Sequence, residues 1–358
     1  MAKMTEELFA QAFKRYGNPW QASTRKSSEL DPFSHILRLF RQTIGLQKGA
    51  IGAHGPIYCN LIENNSFNAL ATNDADHEFV TIFSGAINTV STMYFAMLSD
   101  PNALQSIGNS SEELHHSAHG EDLTALRLPR NRQRQLAAWH LSIITCVFML
   151  LHEVGHIVRC HPVFLASRYG IRTYEELPKT DSTAELSRIR MALEWEADEY
   201  GAVASYQFIS ALHDNNYFGE ISYLKADYLW AIAIAMMFCL VGVVSKGGMW
   251  QNSRSHPAPV HRCAWSMAAV QNAFESSASD SRLEAGLQDV GNWVKRHLLG
   301  TQLYREKFAP DMLVSHKETV AELGAIQSGF ANERPLLKRL VSARNDAAET
   351  WRAKGMKG

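Results

Sequence analysis

The chain has 358 residues and a formal net charge of -1; 46% of its residues are hydrophobic and 20% are charged. This length and composition exclude a disordered or fibrous chain and are typical of a folded protein with about two domains. Because the net charge is close to zero, no general electrostatic field attracts nucleic acid, and we expect no nucleic-acid partner.

The five cysteines are scattered along the sequence and none of them forms a CxxC pair. This pattern argues against a disulfide framework and against a cysteine-based zinc ribbon, and it fits a reducing compartment. The first 17 residues mix acidic and basic side chains where a signal peptide needs an apolar stretch. We therefore expect a cytoplasmic protein.

The N-terminal part of the chain predicts helices followed by a small sheet. Helices are expected at ELFAQAFKRY and at DPFSHILRLFRQTIG, where Asp-Pro suits a helix start. Two β-like runs follow, PIYCNLIE and HEFVTIFSG, and SFNALATNDAD lies between them. A further helix is expected from Ile87 to Leu98.

A polar segment from Ser99 to about Thr124 is expected to form a loop. It contains a histidine cluster, which we interpret as solvated, with metal binding as the alternative, since nothing nearby fixes a tetrahedral geometry. The basic run after it is interpreted as a solvated linker because it lacks interleaved aromatic residues. The residues concerned are His115, His116 and His119 in the cluster and Arg127, Arg130, Arg132 and Arg134 in the run.

Two apolar runs could be mistaken for membrane spans. They are LAAWHLSIITCVFMLL at 136–151 and YLWAIAIAMMFCLVGVV at 228–244. Both lie at or below the lower limit of about 17 residues for a span, so burial in a helical core is favoured over membrane association. The overall pattern predicts an α+β protein that is mainly helical.

The stretch LHEVGHIVRCHP carries the pattern HExxH inside an apolar helix. His152 and His156 are four residues apart, so a helix presents both imidazoles on one face to one metal ion. Glu153 lies on the neighbouring flank, where it can act as a general base on water without being a ligand. Because the chain has 15 histidines, two core histidines are the alternative interpretation.

A catalytic zinc needs a third protein ligand and one open position. The metzincin pattern is excluded, because Arg159 and Pro162 stand where that class has Gly and His, and His161 is out of register. The alternative source is a glutamate on a later predicted helix, MALEWEADEYGAVAS.

Two acidic residues of that helix share one face. Glu194 and Asp198 are four residues apart, so Glu194 can bind zinc while Asp198 accepts a hydrogen bond from a ligand histidine. Glu196 points about 200° away from Glu194 around the helix and is expected to be a solvated acid. We prefer Glu194 as the ligand, in part because of a family pattern.

Taken in order, HEVGH, EWEAD and SHPAPVHR resemble three motifs of the gluzincin peptidases of the HtpX and CAAX-prenyl-protease type. The chain more closely resembles the Lit-like phage-exclusion peptidases over about residues 60–265, with one apolar helix running into HExxH and another before the His-Pro-Ala loop. Ala258 stands where the HtpX pattern usually has a second proline, and the sequence lacks the confident membrane spans of that family; together these features favour the soluble, Lit-like branch.

The resemblance implies a zincin-like core in which a small sheet lies beside the HExxH helix and Zn2+ is held by His152, His156 and Glu194. It also implies that His256 donates a hydrogen bond to the oxyanion and that Arg262 supports the loop of His256. The resemblance and the sequence pattern together predict three domains: an N-terminal helical segment at 1–55, a gluzincin-like catalytic domain at 56–275 and a C-terminal helical region at 276–358.

We therefore predict a zinc-dependent endopeptidase that acts on a protein or peptide substrate, which lies along an edge strand near Asn68 to Ala71. By resemblance, the substrate would be a translation factor and a phage-derived peptide would activate a latent enzyme. Two alternatives stay open. One is a housekeeping quality-control metallopeptidase, and the other is a non-catalytic, zinc-stabilised binding or regulatory protein.

Overall fold

The computed structural model describes residues 2–21, 32–46, 51–52, 55–74, 77–113, 128–171, 173–175, 183–244, 256–274 and 316–353. The helices are α1 (Ala2–Phe13), α2 (Pro32–Leu46), α3 (Ser84–Leu98), α4 (Arg132–Val158), α5 (His161–Tyr169), α6 (Ala184–Asp214), α7 (Ala226–Val244), α8 (Pro259–Phe274), α9 (His316–Phe330) and α10 (Arg334–Ala353). The strands are β1 (Asn18–Pro19), β2 (Ile51–Gly52), β3 (Gly55–Pro56), β4 (Tyr58–Glu63), β5 (Ala69–Asp74), β6 (His77–Phe83) and β7 (Thr173–Glu175). The fold is therefore mainly helical with a small sheet, as predicted.

The main sheet has the strand order β1-β4-β6-β5-β7. Strands β4 and β6 run parallel, while the other neighbouring pairs are antiparallel. Strand β5 pairs with β6 along its whole length and with β7 over Leu70 to Thr72. The prediction that the segment near Asn68 to Ala71 forms an edge strand is therefore wrong, because β7, which lies about a hundred residues later in the sequence, covers that side.

The chain forms two compact units. One comprises Met1–Ile87, Met149–Gly201 and Leu323–Gly358, and the other comprises Asn88–Phe148 and Ala202–Glu322. The predicted domain boundaries at residues 55 and 275 stay predictions. The predicted histidine cluster of the polar loop and Arg127 lie outside the described residues.

In the first unit, α1 packs on the sheet through an aromatic core. Phe9 and Phe13 are fully buried and meet Phe79 of β6 edge to face, with ring centroids 5.8 and 6.5 Å apart. The C-terminal helix α10 also belongs to this unit, where Arg344 makes a buried, two-pronged ion pair with Glu78 of β6 at 2.6 and 2.7 Å. Helix α10 packs against α5 as well.

In the second unit, Arg134 anchors the segment that precedes α4. Its guanidinium is fully buried and donates five hydrogen bonds to backbone carbonyls. The acceptors are the carbonyl oxygens of Leu98, Asp100, Ala103, Leu104 and Ile107, at 2.7–3.1 Å. The interpretation of the basic run as a solvated linker is therefore wrong for Arg134, although Arg130 and Arg132 are exposed.

The two apolar runs form the cores of α4 and α7. Every side chain from Leu229 to Val241 is buried. Among the described helices, α4 alone is long and apolar enough to cross a membrane by length and composition, and 94% of its most apolar window is buried within the protein.

Candidate metal centre

Helix α4 carries the HExxH pattern at its C-terminal end. His152 and His156 are 3% and 0% exposed, and their Nε2 atoms lie 3.0 Å apart. This spacing follows from the helix, which puts residues four apart one turn above each other on the same face. Glu153 is also buried, at 1% exposure, between these two positions in the sequence.

Helix α6 brings a glutamate to the same place. It starts after Thr183, whose hydroxyl accepts a hydrogen bond from the backbone N–H of Leu186 and caps the helix. One carboxylate oxygen of Glu194 lies 3.5 Å from Nε2 of His152, and the other lies 3.8 Å from Nε2 of His156. Glu194 is fully buried, so its carboxylate is directed at the two imidazoles and away from solvent.

Two glycines allow α4 and α6 to approach this closely. A β-carbon on Gly201 would lie 3.0 Å from the backbone nitrogen of His152, and one on Gly155 would lie 3.2 Å from the carbonyl oxygen of Ala197. Both positions are tighter than ordinary van der Waals contact. The two helices therefore pack backbone to backbone beside the histidines, which lets the short side chain of Glu194 reach them.

The donor set fits a tetrahedral zinc ion. His152, His156 and Glu194 each offer one ligand atom within 4.8 Å of the others. With bonds of about 2.0–2.2 Å, two ligands of a tetrahedral zinc are about 3.3–3.6 Å apart. The separations of 3.0, 3.5 and 3.8 Å surround this value, so small side-chain adjustments would complete the geometry. Two imidazoles and one carboxylate also leave a fourth position for water, as a catalytic site requires.

Asp198 lies behind the first histidine. Its Oδ1 is 3.0 Å from Nδ1 of His152, and its side chain is fully buried. This close contact favours a hydrogen on Nδ1, beside the carboxylate, which leaves Nε2 with its lone pair toward the metal position. This is the placement that the sequence predicted for Asp198, one turn after Glu194.

A side-chain contact of the second histidine, His156, was not predicted. Helix α4 ends where Cys160 adopts a left-handed conformation, with φ of 61°, and α5 begins at once with His161 and Pro162. Because the left-handed residue interrupts the helix here, His161 lies beside His156, and their Nδ1 atoms are 2.7 Å apart. The sequence shows His161 and Pro162 next to HExxH, but His161 was considered only as a metzincin ligand and was excluded because it is out of register.

Glu196 contacts the far side of His161. Its Oε2 lies 3.4 Å from Nε2 of His161, and its side chain is only 25% exposed. The prediction that Glu196 is a solvated acid is therefore wrong, because the turn at Cys160 puts His161 over this face of α6. Glu196 does point away from the metal position, as the helix geometry required.

The charge states of this pair follow from burial and neighbouring charges. Burial lowers the pKa of His161, against the opposing effect of the Glu196 carboxylate, so the neutral imidazole is favoured. Burial alone would raise the pKa of Glu196, but the hydrogen bond with His161 and the nearby Arg159 and Arg334 guanidinium groups outweigh it and lower that pKa.

The remaining predicted site residues, His256 and Arg262, belong to the second compact unit. His256 is 4% exposed and precedes α8, while Arg262 is 1% exposed and lies within α8. The guanidinium carbon of Arg262 lies 5.2 Å from the centre of the Phe238 ring, a cation–π contact. The roles of both residues at the oxyanion stay predictions.

The five cysteines are all buried as free thiols. Burial raises the pKa of Cys59, Cys146 and Cys160 to about 12. These groups are therefore neutral thiols at ordinary pH and are poor metal ligands or nucleophiles, since both roles require the thiolate.

Comparison with known proteins gave no match, whether with family models, with curated protein sequences or with solved structures.

Proposed function

We propose that the protein is a zinc-dependent endopeptidase with a zincin-like core. The observation that carries this proposal is the buried group of His152, His156 and Glu194, in which two consecutive turns of one helix meet a carboxylate of another. Glu153 follows the first histidine directly, as the general base of such a site does.

In this mechanism, His152, His156 and Glu194 hold the metal, and Asp198 keeps the ring of His152 in place. Zinc, when bound, supplies Lewis acidity that acidifies water and polarises a peptide carbonyl. Glu153 takes a proton from the attacking water and passes it to the leaving amine. By resemblance alone, the role of donor to the developing oxyanion is assigned to His256; the loss of such a donor typically costs about 10²–10³ in rate.

The substrate would be a protein or a peptide. The resemblance to the Lit-like peptidases favours a latent enzyme that a phage-derived peptide activates and that then cleaves a translation factor. A quality-control peptidase is the competing enzyme, and constitutive cleavage of unfolded proteins in uninfected cells would favour it. Because β5 pairs with β6 on one side and with β7 at Leu70 to Thr72 on the other, an extended substrate does not pair with β5 there.

A second candidate is a zinc-stabilised binding or regulatory protein without catalysis. It is favoured by the burial of the ligands, because Glu194 and His156 are both 0% exposed. The two candidates differ in what Glu153 does. In a peptidase, Glu153 is the general base, so it is needed for turnover and is dispensable for zinc binding. In a non-catalytic protein there is no turnover, so the loss of Glu153 changes no activity.

Zinc-binding and cleavage assays with purified protein distinguish the peptidase from the non-catalytic protein. We expect the wild type to bind one zinc and to cleave members of a mixed peptide library, with a phage lysate added in a parallel sample to supply an activator. Glu153→Gln should bind zinc with the same affinity and cleave nothing. If zinc removal unfolds the protein while neither protein cleaves any peptide with or without lysate, the non-catalytic candidate is correct.

A further inference from the structure

The end of the metal-binding helix holds a chain of three polar side chains, all in the first compact unit. His156 Nδ1 lies 2.7 Å from His161 Nδ1, and His161 Nε2 lies 3.4 Å from Glu196 Oε2. Both imidazoles are 0% exposed, so water does not compete for these contacts. The rings meet at an interplanar angle of 69°, with centroids 4.9 Å apart.

The positions of the hydrogens follow from the metal site. If His156 binds metal through Nε2, which faces Glu194 and His152, its single ring hydrogen is on Nδ1 and must be donated. The neighbouring Nδ1 of His161 is then the acceptor. A neutral His161 that accepts at Nδ1 has its own hydrogen on Nε2, which faces the carboxylate of Glu196.

We infer that His161 and Glu196 are positioning residues for the ligand His156, joined as His156 Nδ1–H to His161 Nδ1 and His161 Nε2–H to Glu196. This inference rests on the proposed metal site and adds to it a second outer contact, opposite to the one that Asp198 makes with His152. Each ligand histidine thus has its own partner, which fixes the ring and makes Nε2 a better donor to the metal.

The backbone conformation also supports this arrangement. The left-handed residue Cys160 and the proline in the first turn of α5 separate the two helices, which places His161 beside His156. Helix α6 carries Glu194 and Glu196 on different faces, so one helix supplies both the predicted ligand and the outer carboxylate.

The test compares two substitutions of His161 that differ in hydrogen bonding. In His161→Asn the amide oxygen can take the place of Nδ1 as acceptor, whereas His161→Leu fills the volume but accepts nothing. Zinc affinity is measured by competition with a chromophoric chelator. We expect His161→Leu to bind zinc about 10- to 100-fold more weakly than the wild type, and His161→Asn to retain most of the affinity.

A second readout reports on the hydrogen bond itself. In the cobalt-substituted wild type, proton NMR should show slowly exchanging Nδ1–H resonances from both ligand histidines. His161→Leu should lose the one from His156 to solvent exchange and keep the one from His152, while His161→Asn should keep both. Glu196→Ala should weaken zinc binding, whereas Glu196→Gln, which still accepts from His161, should keep most of the zinc affinity.

Phe164→Leu serves as the control for packing. Phe164 is fully buried on the same helix and contacts Phe330, so its substitution should lower the free energy of unfolding without changing zinc affinity. The inference is overturned if His161→Leu binds zinc as tightly as the wild type, or if His161→Asn loses as much affinity as His161→Leu. The zinc affinities can follow these expectations while the protein cleaves no peptide. That result would overturn the proposed function and leave this inference standing.

Discussion

Oδ1 of Asp198 lies 3.0 Å from Nδ1 of His152, on the side of the ring opposite to the nitrogen that faces Glu194. Removing this carboxylate leaves the ring free to rotate and its Nδ1–H without an acceptor. We expect Asp198→Ala to bind zinc about 10- to 100-fold more weakly than the wild type, measured by chelator competition.

The neighbouring Glu199 provides the control for Asp198. It is exposed on α6, one residue away, and carries the same charge. Glu199→Ala should leave zinc affinity unchanged. An equal loss of affinity in both variants would show that the net charge of the helix matters and that the contact with His152 does not.

Glu194 and Glu196 differ in the atom that each faces. Glu194 faces Nε2 of both His152 and His156, whereas Glu196 faces His161. We expect Glu194→Gln to weaken zinc binding by more than about 100-fold, because an amide is a far poorer zinc ligand, and Glu196→Gln to keep most of the affinity. Isothermal titration with zinc measures both. The reverse order would reassign the third ligand to Glu196.

Gly201 sets the distance between α6 and α4. A methyl group there would lie 3.0 Å from the backbone nitrogen of His152. We expect Gly201→Ala to lower the free energy of unfolding by about 1–3 kcal/mol and to weaken zinc binding, because the two helices must separate by a few tenths of an ångström. Urea unfolding and chelator competition measure the two effects.

Gly324 is the matched comparison for Gly201. It lies in α9 with nothing within 4 Å of the position of an added β-carbon. Gly324→Ala should raise the free energy of unfolding by up to about 1 kcal/mol, since alanine favours the helix more than glycine does. Stabilisation by both substitutions would contradict a close approach of the helices at Gly201.

Arg134 and Arg132 are adjacent in the basic run but differ in burial. Arg134 donates to five carbonyls and lies 3.8 Å from the buried Glu113 carboxylate, whereas Arg132 is 78% exposed and pairs with Glu220. We expect Arg134→Met to lower the free energy of unfolding by about 3–5 kcal/mol, because Glu113 and the carbonyls lose a buried partner. Arg132→Met should change it by less than about 1 kcal/mol. Urea unfolding measures both changes. Equal losses of unfolding free energy in the two variants would contradict the anchoring role of Arg134.

Local pattern was enough to predict the parts of the site that lie on single helices. The periodicity of an α-helix relates His152 to His156 and Glu194 to Asp198, so their shared faces follow from spacing alone. Local pattern also predicted the strands β4 and β6, because each is a short, largely apolar run bounded by polar residues.

The failures all depend on contacts between distant parts of the chain. Strand β5 is not an edge because β7 pairs with it, and three residues of β7 carry too short a pattern to be detected. Glu196 is partly shielded by His161, whose position depends on the left-handed conformation of Cys160, which is uncommon for cysteine. Arg134 looked like a solvated charge because its acceptors are backbone carbonyls, which every sequence has.

The most direct test of the peptidase proposal maps protein N-termini in bacterial cells that express either the wild type or Glu153→Gln, before and during phage infection. The substitution is nearly isosteric and should spare zinc while removing the general base. We expect new N-termini only with the wild type, in infected cells if the enzyme is latent. Identical maps for the two proteins under both conditions, with zinc bound by both, would contradict the proposal that this metal centre hydrolyses peptide bonds.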